Sequence, residues 1–173
     1  MALWTGLMTP LELAWAYSVF ANLWEKKTIT PVLKVLDSAG IEIETIEDNT
    51  SEEAISPKLA YLMNTILSDS ATRPEFWNNY MTLPWRSVAA KTWTSTKQFQ
   101  RWWVKQIYPR NLWTVGYTPQ ITTVVWAGNK DGKELNHRWN GLEWAGPVWK
   151  NFMAFAHQWK PVKRWNRPAG LVT

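Results

Sequence analysis

The sequence lacks cysteine altogether and has little histidine. Without cysteine the chain has no disulfides, no zinc–thiolate site and no cysteine nucleophile. Its two histidines, His137 and His157, are too few for most metal sites, and we expect both at the surface. The sequence therefore predicts neither a bound metal nor another cofactor.

Long apolar runs are also missing. No run reaches the roughly 18 residues that a bilayer-spanning helix requires. The first residues, MALWTGLMTPLELAWAYSVF, lack the basic segment of a secretory signal, and Glu12 interrupts their apolar stretch. We therefore expect neither a membrane span nor a targeting signal within these residues.

The chain length and the apolar content are sufficient for one domain. The chain has 173 residues, of which 46% are apolar, so we expect a single core. Its net charge of +5 is typical of a mildly basic solvated surface, and no nucleic-acid-binding motif accompanies it. We expect no nucleic-acid partner. The main domain is predicted over residues 1–158, and the basic, proline-containing residues 159–173 are predicted as a tail.

Capping and turn signals organise the first half of the chain. A capping box at Thr9-Pro10-Leu11-Glu12 predicts a helix that ends near Asn22. Val32–Leu36 and Ile41–Ile46 flank a turn and predict a hairpin, which an acidic loop over Glu47–Glu53 follows. Ser56-Pro57 predicts a second helix. Its predicted apolar face comprises Leu59, Leu62, Met63, Ile66 and Leu67.

Strands dominate the second half. The predicted strands are Ser87–Ser95, Leu112–Tyr117 and Ile121–Trp126, with a long polar connection over Thr96–Arg110 and turns at Thr118–Gln120 and Asn129–Gly132. Gly146-Pro147 predicts the start of a last helix, with Val148, Phe152 and Phe155 on one face and Trp149, Met153 and Ala156 beside it. Short connections between strands indicate an antiparallel sheet with flanking helices, an α+β fold.

Five segments in order carry a family resemblance. They are Thr9–Ala14 with the residues up to Asn22, Ala89–Ser95 around Lys91-Thr92-Trp93-Thr94, Leu112–Pro119 ending in Gly-Tyr-Thr-Pro, Val125–Asn129, and Gly141–Met153. Together they resemble the class A penicillin-binding proteins, which polymerise and cross-link peptidoglycan and whose third active-site motif is Lys-Thr-Gly. The resemblance covers nearly the whole chain. It implies part of a β-lactamase/transpeptidase-like fold.

The resemblance also implies roles for five consecutive residues. Lys91 would supply a fixed positive charge and assist proton transfer, and the hydroxyls of Thr92 and Thr94 would bind the carboxylate of a peptidoglycan stem peptide or a β-lactam. The backbone N–H of Thr94 would form half of an oxyanion hole. Trp93 and Ser95 complete the expected substrate-binding strand.

Two motifs of that family are absent. No serine is followed by lysine at the third position after it, and no Ser-x-Asn occurs either. We therefore expect a fragment of a D,D-transpeptidase that is inactive alone. The resemblance implies that the intact parent is anchored by a missing N-terminal membrane helix and faces the cell-wall side.

Tryptophan is unusually frequent. The chain has 15 Trp and only 8 Gly, whereas Gly is normally about 7% of residues. Trp93 stands where the family has the Gly of Lys-Thr-Gly, and Trp4, Trp24, Trp85 and Trp139 stand at similar positions. One hypothesis is that these codons are UGA, which some bacterial lineages read as glycine. The other is that the Trp residues are real and the site is altered.

A different class of function remains open. A non-catalytic module could bind cell-wall glycan or peptide through exposed Trp rings, whose apolar faces stack on sugars. Such a module predicts Trp side chains aligned along one face of a sheet. In the linear sequence the Trp residues are scattered through predicted helices, turns and loops, which favours the transpeptidase fragment.

Overall fold

The computed structural model describes residues 8–45, 51–101 and 103–171. It contains four helices and seven strands within those residues, and it confirms the predicted α+β fold of an antiparallel sheet with flanking helices. The elements in chain order are α1 (Pro10–Ala21), β1 (Glu25–Lys27), β2 (Lys34–Leu36), β3 (Glu42–Thr45), β4 (Ser51–Glu53), α2 (Pro57–Ser68), α3 (Glu75–Met81), β5 (Ala89–Arg101), β6 (Val104–Tyr117), β7 (Thr122–Gly128) and α4 (Gly141–Ala156).

The main sheet has the antiparallel order β5-β6-β7. The prediction of a long connection over Thr96–Arg110 is wrong, because β5 and β6 continue as a hairpin until Arg101 pairs with Val104. A register shift after Ser95 places Thr96 opposite Pro109, so the polar outer half of the hairpin is bent relative to the inner half. Thr96, Lys97 and Gln98 are exposed, and a strand solvated on both faces shows no apolar alternation.

Two small ribbons lie outside the main sheet. The predicted hairpin is confirmed, since β2 pairs with β3. The predicted acidic loop Glu47–Glu53 is wrong at its end, because Ser51–Glu53 forms a strand paired with Glu25–Lys27, while residues 47–50 lie outside the described residues. Opposite charges support that pairing, with Lys26 Nζ 3.6 Å from Glu52 Oε2.

The first two helices begin where their caps predict. Thr9 and Glu12 form the reciprocal capping box of α1, and the Ser56 side chain accepts from the Leu59 N–H at the start of α2. The predicted apolar face of α2 is wrong, because Leu59, Leu62 and Ile66 are exposed whereas Ala60 and Asn64 are buried. Asn64 is buried because its amide donates to the Phe20 carbonyl and accepts from the Tyr117 hydroxyl.

The last helix starts earlier than predicted. It begins at Gly141, and Pro147 lies inside it. The Asn140 side chain accepts from the Glu143 N–H at 2.9 Å, a cap that satisfies the first turn. Of the two predicted faces, Trp149 and Met153 pack into the core, whereas Val148, Phe152 and Phe155 are exposed.

Two apolar clusters lie on opposite faces of the main sheet. Ala90 packs with Met81, Leu142 and Trp149 on the α4 side. Ala89 packs with Ala21 and Tyr117 on the side of α1 and α2. Because successive strand residues point to opposite faces, these two alanines fix the orientation of every later side chain on the inner half of β5.

The segment after α4 runs back along the fold. His157 is buried at 4% exposure, so the prediction that it lies at the surface is wrong, whereas His137 is exposed as expected. His157 Nδ1 lies 2.8 Å from the Met153 carbonyl and Nε2 lies 2.8 Å from Thr118 Oγ1. Within the predicted basic tail, the Trp165 indole donates to the Ala21 carbonyl at 3.0 Å and contacts the Tyr117 ring.

Candidate functional site

Lys91, Thr92, Trp93, Thr94 and Ser95 all lie on β5, at one edge of the described main sheet. Alternation from Ala89 and Ala90 divides them between two faces. Lys91, Trp93 and Ser95 point to the side of α1 and α2. Thr92 and Thr94 point to the side of α4.

Two carbonyl contacts show in which direction the backbone N–H and C=O groups of β5 point. The Ala90 carbonyl accepts from Arg73 Nη2 at 3.5 Å, and the Thr92 carbonyl accepts from Lys91 Nζ at 2.5 Å. Both carbonyls therefore point away from β6. In an antiparallel ladder the N–H and C=O of one residue share a direction and alternate along the strand, so the Thr94 N–H also faces the open edge.

Lys91 is held against the strand that carries it. Its ammonium bonds the next carbonyl, and burial lowers the pKa of Lys91 from its ordinary value. A half-buried ammonium at a sheet edge interacts more strongly with an anion than a fully solvated one, because water screens the pair less.

Thr94 contacts the start of α4. Thr94 Oγ1 accepts from the Gly141 N–H at 3.1 Å, and Thr114 on the neighbouring strand donates to the Gly141 carbonyl at 3.0 Å. A Cβ on Gly141 would lie 2.7 Å from the Trp93 and Trp113 carbonyls, so only glycine allows the helix to approach this closely. The two predicted hydroxyls and Lys91 thus lie on opposite faces of β5 and share its open edge.

A cleft of about 310 Å³ borders the same edge on the α4 side. It lies between β5, α3 and the first turn of α4. Its lining residues include Phe76, Trp77, Thr92, Trp93, Thr94 and Asn140. Both threonines line the cleft, but Thr92 is buried at 5% exposure whereas Thr94 is partly exposed, so Thr94 is the more accessible of the two.

Three tryptophans form a row across the sheet on the Lys91 face. The Trp93 and Trp113 rings are stacked with centroids 5.4 Å apart, and Trp113 and Trp126 are 6.3 Å apart. Polar groups continue beside them, since Asn111 accepts from the Trp126 indole at 3.0 Å and donates to Ser95 Oγ at 2.7 Å. The linear sequence did not indicate this alignment because the three residues lie on different strands.

The sequence reasoning missed Arg73 and the helix start at Asn140. Arg73 joins three elements by donating to the carbonyls of Leu67, Met81 and Ala90. No local pattern indicates such a brace, because its partners are distant in sequence. Asn140 was detectable, since Asn followed three residues later by Glu143 is a capping signal.

Within residues 8–45, 51–101 and 103–171, no group of three or more His, Cys, Asp and Glu side chains could hold a metal ion. None of the helices in these ranges has both the length and the apolar character needed to cross a bilayer.

A family model described as the penicillin binding protein transpeptidase domain matches residues 6–154. Penicillin-binding protein 1A of Neisseria lactamica is 31% identical over 176 residues, which cover 99% of this chain and 21% of the relative. Penicillin-binding protein 1A of Aquifex aeolicus (strain VF5) is 31% identical over 175 residues, which cover 97% of this chain and 21% of the relative. The chain thus spans about a fifth of the length of these relatives.

Solved structures share the fold. The penicillin-binding protein PonA1 from Mycobacterium tuberculosis superposes with a TM-score of 0.72 at 21% identity, covering 95% of this chain and 45% of that one. Penicillin-binding protein 1A from Haemophilus influenzae gives a TM-score of 0.73 at 19% identity, covering 94% of this chain and 28% of that one.

Proposed function

The chain belongs to the penicillin-binding protein transpeptidase domain family, and from that premise we propose that it supplies the lysine-bearing strand of a serine D,D-transpeptidase. The reaction is the cross-linking of peptidoglycan stem peptides by serine acyl transfer, and β-lactams acylate the same serine. The observation that carries the proposal is the open edge of β5, where the Thr94 N–H faces outward, the Lys91 ammonium lies at the Thr92 carbonyl, and Thr94 lines a cleft on the α4 side.

The proposed roles follow from what each group can still donate. Thr94 Oγ1 accepts from Gly141, so its own proton remains free for a substrate carboxylate. Thr92 adds a second hydroxyl on the same face. Lys91 supplies positive charge near the edge, and the Thr94 N–H stabilises the oxyanion that forms when the scissile carbonyl is attacked.

The nucleophile has to come from outside these 173 residues. The chain holds no Ser-x-x-Lys and no Ser-x-Asn, so the isolated chain has no serine in the required context. We propose that the chain alone is not acylated by β-lactams. The parent protein is proposed to be anchored in the cell membrane and to act on its extracytoplasmic face, which fractionation of source cells would test.

The test is a chimera in which this chain replaces the matching segment of the Neisseria lactamica relative, assayed with a fluorescent penicillin. We expect covalent label in a chimera with glycine at position 93 and none in the isolated chain. Lys91→Ala should remove most of the label. Lys97→Ala is the matched control, because this exposed lysine on the same strand pairs with Glu134 at 3.1 Å. Unchanged labelling of the Lys91→Ala chimera would contradict the proposal.

A second candidate function rests on the row of Trp93, Trp113 and Trp126. Stacked indoles flanked by Ser95 and Asn111 suit a sugar face. This function predicts that the isolated chain binds insoluble peptidoglycan and that Trp126→Ala, at an exposed position of the row, reduces binding. Trp159→Ala is the control. If it reduced binding as much as Trp126→Ala does, the row would have no special role.

A further inference from the structure

The turn Leu83-Pro84-Trp85-Arg86 has a backbone that suits glycine. The Arg86 N–H bonds the Leu83 carbonyl at 3.5 Å, and Trp85 has φ of 64°. Proline at the second position and positive φ at the third define a type II turn, in which the third residue is normally Gly. The Trp85 side chain is 88% exposed, so no packing compensates for the strained backbone.

The end of α1 shows the same mismatch. The Trp24 N–H bonds the Val19 carbonyl and the Leu23 N–H bonds the Phe20 carbonyl, which is the Schellman pattern of helix termination. Leu23 occupies C′, the left-handed position of that motif, with φ of 64°, and Trp24 follows it with φ of 137°. A bulky side chain at positive φ is a genuine outlier, so the case for glycine at position 24 rests on the φ of Trp24 and not on the Schellman pattern.

Other tryptophans occupy ordinary positions. Trp149 is fully buried in the α4 cluster and donates to the Gly116 carbonyl at 3.3 Å. Trp113 and Trp126 are paired within strands. Among the described residues, the non-glycine positions with positive φ are Leu23, Trp24 and Trp85. Only some of the fifteen Trp residues therefore occupy backbone positions that suit glycine.

We infer that positions 24 and 85 are glycine in the protein that the source cell makes, with UGA codons read as glycine. The inference stands on backbone geometry, so it does not depend on the proposed function. A UGA codon at position 93 would likewise remove the indole that stacks on Trp113 beside Lys91.

The decisive experiment reads the codons in source DNA and identifies the residues by mass spectrometry of the protein from source cells. We expect UGA codons and glycine-containing peptides at positions 24 and 85, and UGG codons with Trp at positions 113 and 149. Trp in the native peptides at 24 and 85 would overturn the inference, whichever codon encodes it.

A stability measurement on the full 173-residue chain tests the geometric argument separately. Trp85→Gly should raise the thermal midpoint by a few degrees, because it relieves positive-φ strain. The matched control is Trp159→Gly, which removes an equally exposed ring, 90% against 88%, outside the positive-φ set. A Trp85→Gly midpoint that does not exceed that of the control would overturn the argument.

Discussion

Arg86 is the residue whose loss should loosen the end of the chain most. Its Nη1 donates to the Gln120 Oε1 at 3.3 Å and to the Pro161 carbonyl at 3.1 Å. Its Nη2 donates to the carbonyls of His157, at 3.1 Å, and Lys160. One guanidinium thus ties the Leu83–Arg86 turn and the Thr118–Ile121 turn to the segment after α4.

Arg86→Ala removes all four contacts at once. A hydrogen bond to a charged group contributes roughly 1.5–3 kcal/mol when it is shielded, but Arg86 is only partly buried, so water replaces part of each bond. We expect the free energy of unfolding to fall by about 2–4 kcal/mol, well below the sum of four full bonds.

Urea unfolding of the 173-residue chain, followed by tryptophan fluorescence, measures this change. Limited proteolysis should also cut the segment after His157 faster in the variant, because its carbonyl anchors are gone. Arg138→Ala is the control, since Arg138 is exposed and donates to the Asn136 side chain through its backbone N–H, which alanine retains. A loss under about 0.5 kcal/mol, the usual range for surface substitutions, would refute the anchoring role.

Two further predictions concern buried polar groups. Tyr117→Phe should lower the free energy of unfolding by about 1–3 kcal/mol, because it leaves the buried Asn64 Oδ1 without the hydroxyl that donates to it at 2.7 Å. Urea unfolding measures this loss, and an unchanged midpoint would contradict the prediction. Burial lowers the pKa of His157, so the unfolded chain binds more protons than the folded one, and stability should fall as the pH drops below about 6.5, the pKa of an unfolded histidine. His157→Gln should flatten this pH dependence, which thermal unfolding at a series of pH values measures. An equally steep dependence in the variant would assign the effect to another group.

Short sequence motifs correctly predicted the helix starts and the turn that depend on hydrogen bonds between neighbouring residues. The capping box at Thr9 and the cap at Ser56 fix the starts of α1 and α2, and both are where the sequence indicates. The turn after Thr118 is confirmed too, with the Thr118 N–H bonded to the Ile121 carbonyl at 2.9 Å. These features need only three or four consecutive residues to specify them.

Features set by distant contacts were not predictable in the same way. The buried face of α2 is chosen by Asn64, whose partners lie on α1 and β6, so counting apolar residues gave the wrong face. The outer halves of β5 and β6 are solvated and have no apolar alternation. In the site, the sequence identified the strand that carries Lys91, but the division of its side chains between two faces required the packing of Ala89 and Ala90.

The open edge of β5 also has a consequence for self-association. A strand with unpaired N–H and C=O groups is a template on which another chain can add a strand, and proteins commonly protect such edges with lysine. Here the Lys91 ammonium occupies the Thr92 carbonyl, one of the acceptors that an incoming strand would need. We therefore expect Lys91, the residue proposed to attract a substrate carboxylate, also to hinder edge-to-edge aggregation, and its replacement by a neutral side chain should favour β-type assemblies at high protein concentration.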